Sequence, residues 1–405
     1  MSRILLLLPS AAYRADDFLD AIATLGIDVV VGSDHDQALA AEMGDRALTL
    51  DFGEPAAAVQ AILGFARRTP LDAVVPVDDR GVLIAALAAE ELDLRHNPSE
   101  AAAGSVHKSR MRAMFDDAGV AQPQYRVLRE RDDPAKVAAE VGFPVVIKPE
   151  SLSMSRGVLR ADTPDEARAA GDRVRRILAG TRGGSRVILV EAFVPGDEFA
   201  LEGLLRGGAL DVLALFDKPD PLEGPTFEEG LYVTPSRHPG RDQEEIRHLV
   251  ADGCRALGLR EGPIHAEIRL SPDGPKILEV AARSIGGLCS RALRFGAGVS
   301  LEELILRHAL GLPLDDTREE AASGVMMLPV PSRGRLQEVR GVEKAEAVPG
   351  IEGVSITVHP GDRLVPLPEG DRYLGFVFAR GEKPAEVESA LREADRLLEP
   401  VIVGA

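Results

Sequence analysis

Two short apolar runs, each ending in a charged residue, constrain the fold of this chain most. The first is Val145–Ile147, which Lys148 follows, and the second is Val187–Val190, which Glu191 follows. Short runs rich in β-branched residues predict buried strands. Between them, Thr163–Leu178 has helical spacing and an acidic start. The stretch therefore predicts a small α+β lobe that presents a lysine and a carboxylate at the ends of its strands.

Lys148 is a candidate phosphate ligand. The loop Ser151–Gly157 follows it closely, and its backbone N–H groups and hydroxyls could surround phosphate oxygens. Glu191 and Glu198 lie on either side of a Pro-Gly turn and suit a nucleotide whose base and ribose both need polar partners. The alternative is a strand that ends in a solvated lysine, which is the commoner case for an isolated pattern of this kind.

Charge and cysteine content narrow the classes of partner. The 405 residues carry a net charge of -18 and contain two cysteines, Cys254 and Cys289. Such an acidic chain argues against nucleic acid or an anionic membrane as a partner, and two cysteines favour a reducing cytoplasm over a disulfide framework. The apolar run Ile4–Leu8 is too short for a signal peptide or a membrane span. We expect a cytoplasmic protein of two or three domains that acts on small molecules.

Strands and helices alternate at the start of the chain. Apolar strands at 4–8, 28–32, 48–50 and 73–76 alternate with helical patterns at 16–25, 36–42, 55–68 and 82–92. This alternation predicts a doubly wound parallel sheet, which binds ligands at the carboxyl ends of its strands. The turn Pro9–Tyr13 lacks the Gly-x-Gly-x-x-Gly pattern, which argues against a dinucleotide site.

Glu267 and Glu279 stand in otherwise apolar strands that the turn 271–274 connects. An antiparallel pair around so short a turn can point both carboxylates to one face, as an oxygen-ligated divalent cation requires. The alternative is two solvated glutamates on an exposed sheet face. Arg283 and the loop 284–287 follow directly, and a glycine-containing loop can approach a ligand closely.

A long segment without periodicity, Asp217–Pro239, comes before these strands. Its length and its aromatic and charged content favour an ordered functional loop. Glu228, Glu229 and Arg237 are candidates to contact a charged substrate. His238 could serve as a base, although a lone histidine in a polar loop more often has no catalytic role.

The end of the chain shows no catalytic constellation. Residues 322–405 have the pattern of four strands and a final helix at 384–398. We interpret this region as a lid or a dimerisation platform.

Taken in order, these motifs resemble those of ATP-grasp enzymes. They are Lys108 in the first turn of a helix expected at 105–118, Phe-Pro-Val-Val-Ile-Lys-Pro at 143–149, Val-Glu-Ala-Phe-Val-Pro-Gly-Asp-Glu-Phe at 190–199, Ala-Glu-Ile-Arg-Leu at 266–270, and Leu-Glu-Val-Ala-Ala-Arg-Ser-Ile-Gly-Gly at 278–287. The resemblance covers about residues 1–315. It implies an architecture of mixed α/β and α+β class. The expected domains are an N-terminal parallel α/β sheet domain at 1–104, an ATP-grasp domain at 105–315 with a small lobe at about 120–195 and a catalytic lobe at about 196–315, and a C-terminal β-rich domain at 320–405.

The resemblance implies a role for each candidate residue. The ATP-binding residues would be Lys108, Lys148, Ser153, Ser155, Gly157, Glu191, Phe193, Val194 and Glu198. The metal ligands would be Glu267 and Glu279, the catalytic residues Lys148, Arg283, Gly286 and Gly287, and the substrate contacts Glu228, Arg237 and His238. The implied cofactors are ATP and one or two Mg²⁺ ions, for which Mn²⁺ could substitute. The family usually has Asn two residues after the second metal glutamate, whereas this chain has Ala281.

Within this family, the segments 217–229 and 232–237 look most like those of bacterial L-amino-acid ligases. The resemblance implies an enzyme that activates a carboxylate as an acyl phosphate, joins it to an amine and releases ADP and phosphate, with amino acids as substrates. It also implies a homodimer. The alternatives are a ligase for a purine precursor or bicarbonate, a kinase-like phosphotransferase, and a catalytically silent ATP-binding protein, which Ala281 would support.

Overall fold

The computed structural model describes residues 2–10, 12–35, 46–181 and 185–404. The helix predicted at 36–42 lies outside these residues. Among the helices that the structure describes, none combines the length and the hydrophobicity needed to cross a bilayer.

The chain begins with a parallel sheet, as predicted. Its strands are β1 (Arg3–Leu7), β2 (Asp28–Ser33), β3 (Ala47–Thr49) and β4 (Ala73–Pro76) in the order β3-β2-β1-β4, with the helices α1 (Ala15–Leu25), α2 (Pro55–Ala66) and α3 (Asp79–Glu91). The central strand β1 is buried on both faces. Ile4 and Leu6 belong to a core shared with the catalytic lobe, whereas Leu5 and Leu7 pack towards α2 and α3. One face of this sheet is therefore fixed against the lobe that carries the site.

Two helices, α4 (Ser99–Val106) and α5 (Lys108–Ala118), replace the single helix predicted at 105–118. The helical conformation is interrupted at His107, whose extended backbone (ψ 104°) separates the two helices. Lys108 therefore opens a helix, as predicted, and its side chain points into the molecule.

The small lobe has the predicted α+β composition. It contains β5 (Tyr125–Leu128), α6 (Pro134–Val141), β6 (Val145–Pro149), β7 (Leu159–Ala161), α7 (Pro164–Ala179) and β8 (Ile188–Ala192), with an antiparallel sheet in the order β5-β8-β6-β7. The register places Val146 opposite Glu191. Because side chains alternate along a strand, Lys148 and Glu191 share one face of this sheet.

A single eight-stranded antiparallel sheet joins the catalytic lobe to the end of the chain. In the order β13-β12-β9-β10-β11-β14-β18-β16, it contains β9 (Asp197–Arg206), β10 (Ala209–Lys218), β11 (Leu231–Thr234), β12 (Gly262–Ser271), β13 (Gly274–Ala281), β14 (Ala322–Leu328), β16 (Ile351–Ile356) and β18 (Gly375–Gly381). The helices of this part are α8 (Gly240–Leu257), a 3-10 turn (Cys289–Ala292), α9 (Leu301–Ala309), α10 (Val342–Glu346) and α11 (Pro384–Leu397). The predicted boundary near residue 320 falls between β11 and β14, which pair with each other.

Two details of this region differ from the sequence-based expectation. The segment 217–239 contains β11, because four buried residues there pair with β14. The described part of 322–405 has six strands instead of four, since β15 (Gly334–Arg340), β17 (Arg363–Leu364) and β19 (Glu399–Val403) form a further small sheet. β17 has two residues, and exposed residues alternate unevenly along β15, so neither gives a clear period-two pattern.

The turn before β9 provides a test of the fold. Gly196 has φ +112°, and a Cβ atom there would lie 2.0 Å from the carbonyl oxygen of Leu270. We predict that Gly196→Ala lowers the free energy of unfolding by about 3 kcal/mol, because a left-handed backbone penalty is added to a backbone clash. Urea denaturation measures this loss.

Gly208→Ala is the matched control. Gly208 also has a positive φ, +88°, but a Cβ atom there would meet nothing within 4 Å. This variant should lose only about 1 kcal/mol. Equal losses in the two variants would contradict the close approach of Gly196 to Leu270.

Candidate active site

Most of the predicted nucleotide and metal residues line one cleft between the small lobe and the eight-stranded sheet. The cleft encloses about 930 Å³, its open mouth included. The predicted residues in its lining are Lys108, Lys148, Ser153, Ser155, Glu191, Phe193, Val194, Glu198, Glu267, Glu279 and Arg283. The fold thus gathers side chains from distant parts of the chain into one site.

Lys148 is held in the cleft wall by a buried carboxylate. Its Nζ lies 2.8 Å from Glu191 Oε2, and Arg112 Nε lies 2.8 Å from Glu191 Oε1. Although burial alone would raise it, Arg112 and Lys148 hold the pKa of Glu191 at about 2. Burial lowers the pKa of Lys148 from its usual value, and the attraction of Glu191 opposes this shift. Glu191 is therefore an anion that positions Lys148, and its predicted contact with adenine would have to use its remaining lone pairs.

Arg112 was not predicted from the sequence. It is 1% exposed, and besides Glu191 its guanidinium donates to the carbonyl oxygen of Leu278 at 2.6 Å. Its position in the sequence could have indicated a place near the site, because Arg112 stands four residues after Lys108 and therefore lies on the same face of the helix.

Glu267 and Glu279 face each other across β12 and β13. They are direct partners in the strand register, so both carboxylates are on one face, as the short turn indicated. Lys108 Nζ lies 3.1 Å from Glu279 Oε1 and 3.3 Å from the carbonyl oxygen of Leu152. Burial would lower the pKa of Lys108, but Glu279 and its acidic neighbours raise it. Lys108 therefore stays charged beside the predicted metal ligands.

A third buried lysine, Lys218, was missed. Its Nζ lies 2.7 Å from Glu198, 2.5 Å from Glu229 and 3.6 Å from Glu267. Burial would lower the pKa of Lys218, but these carboxylates raise it well above its usual value. The sequence contained the signal, because Lys218 ends an apolar strand and precedes a proline, as Lys148 does.

The oxygen donors suit a hard divalent cation. One carboxylate oxygen each of Glu198, Glu229 and Glu267 lies within 4.8 Å of the others, and Glu279 stands opposite Glu267. Mg²⁺ prefers such oxygen ligands. Both oxygens of Glu198 are already engaged, by Lys218 and by Arg269 Nε at 2.7 Å, so its predicted ribose contact would share an occupied carboxylate.

A histidine lies where the missing asparagine would be expected to act. Ala281 is the register partner of His265, whose Nε2 lies 3.7 Å from Glu267 Oε1. His265 Nδ1 lies 2.5 Å from Glu202 Oε1. Burial would lower the pKa of His265, but Glu202 raises it to about 9. A polar group therefore stands beside Glu267 despite the alanine at 281.

Three charged side chains fix the segment 283–285. Arg283 forms a two-pronged ion pair with Asp79, at 2.8 and 2.9 Å. Arg14 Nη1 donates to Ser284 Oγ at 2.8 Å, and the Ile285 N–H donates to Glu202 at 2.9 Å. Asp79 and Arg14 belong to the N-terminal domain, so that domain contributes directly to the position of Arg283.

The two predicted catalytic glycines differ in their surroundings. A Cβ atom at Gly286 would meet nothing within 4 Å, which leaves space for a ligand. Gly287 has φ +60°, and a Cβ atom there would lie 2.8 Å from the Phe376 ring. Gly287 thus allows the C-terminal part of the sheet to pack closely under the loop.

The loop 151–157 lies at the mouth of the cleft. Met154 and Ser155 have positive φ values of 58° and 54°, which is uncommon for residues other than glycine. The N–H of Gly157 donates to the Pro368 carbonyl oxygen at 3.0 Å, so Gly157 lies behind the loop while Ser153 and Ser155 line the cleft.

Part of the irregular segment 217–239 covers the other end of the cleft. The rings of Phe193 and Phe227 lie 6.3 Å apart, and the Arg160 guanidinium lies over Phe193 at 4.2 Å. The backbone N–H of Arg160 donates to the Pro225 carbonyl oxygen at 3.0 Å. This end is therefore aromatic and held against the small lobe.

Of the predicted substrate contacts, Glu229 lines this cleft, whereas Glu228, Arg237 and His238 do not. Arg237 is engaged by Asp217 at 3.1 Å and Glu388 at 2.7 Å, and it lines a neighbouring cleft with His238. The ring of His238 packs against Phe199 with 4.6 Å between centroids. Glu228 is half-buried, which raises its pKa. The sequence of the loop could not reveal that Arg237 and His238 lie outside the cleft, because strand β11 directs the segment away from it after residue 230.

Three regions of the chain match known protein domains. A sequence profile of the ATP-grasp domain matches residues 141–292, one of the ATP-grasp N-terminal domain matches 19–96, and one of the L-amino acid ligase C-terminal domain 2 matches 326–403. The chain therefore contains ATP-grasp domains. The family resemblance read from the motifs is thus confirmed.

Individual ATP-grasp relatives are more distant. The chain is 26% identical over 291 residues to an uncharacterized protein, y4rH, of Sinorhizobium fredii, and this match covers 71% of the chain and 59% of the relative. It is 26% identical to alanine–anticapsin ligase of Bacillus subtilis over 266 residues, which are 61% of the chain and 56% of that ligase. The matches therefore span less than two thirds of these relatives.

Solved structures match the chain over its whole length. The L-amino acid ligase from Bacillus licheniformis superposes with a TM-score of 0.83 at 24% identity, over 100% of this chain and 99% of that one. Phosphoribosylglycinamide synthetase from Anaerococcus prevotii superposes with a TM-score of 0.70 at 16% identity. At these identities the likeness shows the ATP-grasp fold, which confirms the predicted fold class.

Nucleotide binding gives a direct test of the cleft. We predict that Lys148→Ala weakens MgATP binding at least about 10-fold, since a buried phosphate contact is lost and Glu191 keeps only Arg112 as a partner. Isothermal titration calorimetry measures this change. Lys136→Ala, an exposed lysine of the same lobe, is the matched control and should bind MgATP normally. Equal affinities in the two variants would remove Lys148 from the nucleotide site.

Proposed function

We propose that the chain is an ATP- and Mg²⁺-dependent ligase that activates the carboxylate of one amino acid as an acyl phosphate and joins it to the amine of another. This proposal rests on three buried lysines that pair with carboxylates at one end of the cleft. The other end of the cleft is aromatic. Lys108 and Lys148 line the charged end of the cleft with Glu267 and Glu279. Lys218 forms ion pairs with Glu198, Glu229 and Glu267 of the same lining. The other end of the cleft offers apolar surface for a purine.

The two ends of the cleft suit the two ends of ATP. Val146, Phe193 and Leu278 line the apolar end and would enclose the adenine. Lys148 and Lys108 would donate to the phosphates, together with the hydroxyls of Ser153 and Ser155. The loop 151–157, at the mouth, would then close over the phosphates and exclude water.

Glu267 and Glu279 would hold Mg²⁺, which when bound neutralises charge on the phosphate oxygens and orients the terminal phosphate. His265, which is the strand partner of Ala281, would help to orient the carboxylate of Glu267. Whether one or two ions bind depends on Glu198 and Glu229, whose oxygens lie near those of Glu267.

The reaction is an in-line transfer followed by an acyl transfer. An oxygen of the substrate carboxylate attacks the terminal phosphorus, and the bond to ADP breaks. The amine nitrogen then attacks the acyl carbon, loses a proton, and displaces phosphate. Arg283, which Asp79 holds at 2.8 and 2.9 Å, would offset the charge of the transferring phosphoryl group. Positioning and electrostatics suffice, so no covalent enzyme intermediate is needed.

The match of the C-terminal region supports amino acids as substrates over the other candidate substrates. Residues 326–403 match a domain described for L-amino acid ligases, and the fold matches such a ligase over its full length. A purine-precursor or bicarbonate ligase would use the same ATP end of the cleft. A kinase-like phosphotransferase would release ADP without phosphate, and a silent protein would release neither.

The reaction itself gives the next prediction. With MgATP and a productive pair of amino acids, ADP and phosphate should appear in equal amounts, and a single amino acid should give neither. Glu279→Gln should lower this turnover at least about 100-fold, because a metal ligand is lost. Glu386→Gln, an exposed glutamate of α11, is the control. Normal turnover in Glu279→Gln would contradict the assigned site.

The N-terminal domain gives a further prediction. Asp79→Asn should leave the affinity for MgATP unchanged and lower kcat at least about 10-fold, because Asn cannot match both nitrogens of Arg283. Asp79→Glu should recover part of the loss. The control is Asp165→Asn, which removes a surface partner of Arg168 and should be neutral. An unchanged kcat in Asp79→Asn would show that Arg283 needs no support from the N-terminal domain.

A further inference from the structure

A second cavity lies between the N-terminal sheet domain and the catalytic lobe, apart from the nucleotide cleft. Its volume is about 90 Å³, inside a cleft whose whole empty space is about 650 Å³. Residues of β4 and α3 line one side, and residues of α9 line the other. Protein interiors rarely keep voids larger than a water molecule, so this space is a distinct feature of the domain interface.

Small side chains keep this cavity open. Six of its lining residues are alanines, among them Ala86 and Ala89 on α3 and Ala282 on the opposite side. Ala86 is 5% and Ala89 1% exposed, so both lie in the interface. Any larger aliphatic residue at Ala86 would project into the empty space. The walls are therefore apolar and shaped for a small aliphatic group.

One end of the cavity carries a pair of opposite charges. Arg95 Nη1 lies 3.5 Å from Glu261 Oε2, and both residues belong to the lining. This is longer than a good charge-assisted hydrogen bond. An arginine and a glutamate side by side at the end of an apolar space match the two charges of an amino acid.

One of the two oxygens of the Glu261 carboxylate lacks a hydrogen-bond donor among the described residues, whereas Oε1 accepts the N–H of Gly207 at 3.1 Å. Within the described part of the chain, Oε2 is buried and accepts no hydrogen bond. His308 Nε2 lies 3.2 Å away and also accepts the N–H of Gly262 at 3.1 Å. An unsatisfied buried carboxylate oxygen is costly, and a ligand with an ammonium group would satisfy it.

We propose that this cavity binds a free aliphatic amino acid as an effector. Its ammonium would pair with the carboxylate of Glu261, its own carboxylate would lie against Arg95, and its side chain would fill the space beside Ala86. A cavity of roughly 150 Å³ takes up benzene, so about 90 Å³ suits a smaller branched group such as that of valine.

The position of the cavity gives its occupant a route to the catalytic residues. Ala282 in the cavity wall directly precedes Arg283, and α3 carries both Ala86 and, at its first position, Asp79. An occupant therefore lies behind the ion pair between Asp79 and Arg283, on the elements that hold it. This site is separate from the place where a substrate would react.

The test is calorimetric titration of the full chain with valine in the absence of ATP and Mg²⁺. We expect one site per chain, with affinity at least about 10-fold lower in Ala86→Leu, which fills the space, and in Glu261→Gln, which removes the charge. Ala56→Leu, an exposed alanine of α2, is the control for the added leucine. Glycine, which lacks the aliphatic group, should bind at least about 10-fold more weakly.

The outcomes separate clearly. No valine binding to the wild-type chain, or equal binding to wild type, Ala86→Leu and Glu261→Gln, would overturn the proposal. If circular dichroism shows that Ala86→Leu does not fold, the Glu261→Gln titration decides alone. Because these titrations contain no ATP, their failure would leave the proposed ligase reaction untouched, and failure of ligation would leave the effector site standing.

Discussion

The pairing of buried lysines with buried carboxylates is the constraint on which this site depends. Lys148 is paired with Glu191 and Lys108 with Glu279. A single unpaired charge in such an environment costs several kcal/mol, so each of these buried lysines needs an anion as its partner. The same carboxylates that hold the lysines also make the cleft a place for divalent cations. The acidic balance inside the cleft therefore prepares it for a metal–nucleotide complex better than for a free polyanion.

A continuous platform holds these charges in place. The eight-stranded sheet runs from β13 to β16, so the carboxylates of Glu267 and Glu279 and the C-terminal segment belong to one layer. The N-terminal sheet domain supports this layer from the other side, through Asp79 and Arg14. The turn after its first strand lacks the Gly-x-Gly-x-x-Gly pattern, and the contacts that this domain makes with the layer hold Arg283 and Ser284.

The sequence predicts the parts of the site that follow from local pattern. Lys148 and Glu191 end recognisable strands, and Glu267 and Glu279 flank a short turn that fixes their register. Local pattern cannot reveal partners that meet only after folding. Asp79 and Arg283 are 204 positions apart, and nothing near either residue indicates the other.

The misses have equally specific causes. The prediction of one helix at 105–118 missed the interruption at His107, because neither His107 nor its two neighbours is a proline or a glycine. The role of Arg237 was inferred from loop composition, whereas β11 carries that part of the loop to Glu388. Lys218 was overlooked although it repeats the strand-Lys-Pro pattern of Lys148.

Transfer of oxygen from substrate to phosphate tests the central claim most directly. The substrate carboxylate would be labelled with ¹⁸O and the reaction run with MgATP and the amine, and the released phosphate would be analysed by mass spectrometry. An acyl phosphate intermediate predicts one ¹⁸O atom in each phosphate, because the attacking oxygen leaves with phosphorus when the amide forms. Unlabelled phosphate released together with amide product would contradict activation of the carboxylate by phosphoryl transfer.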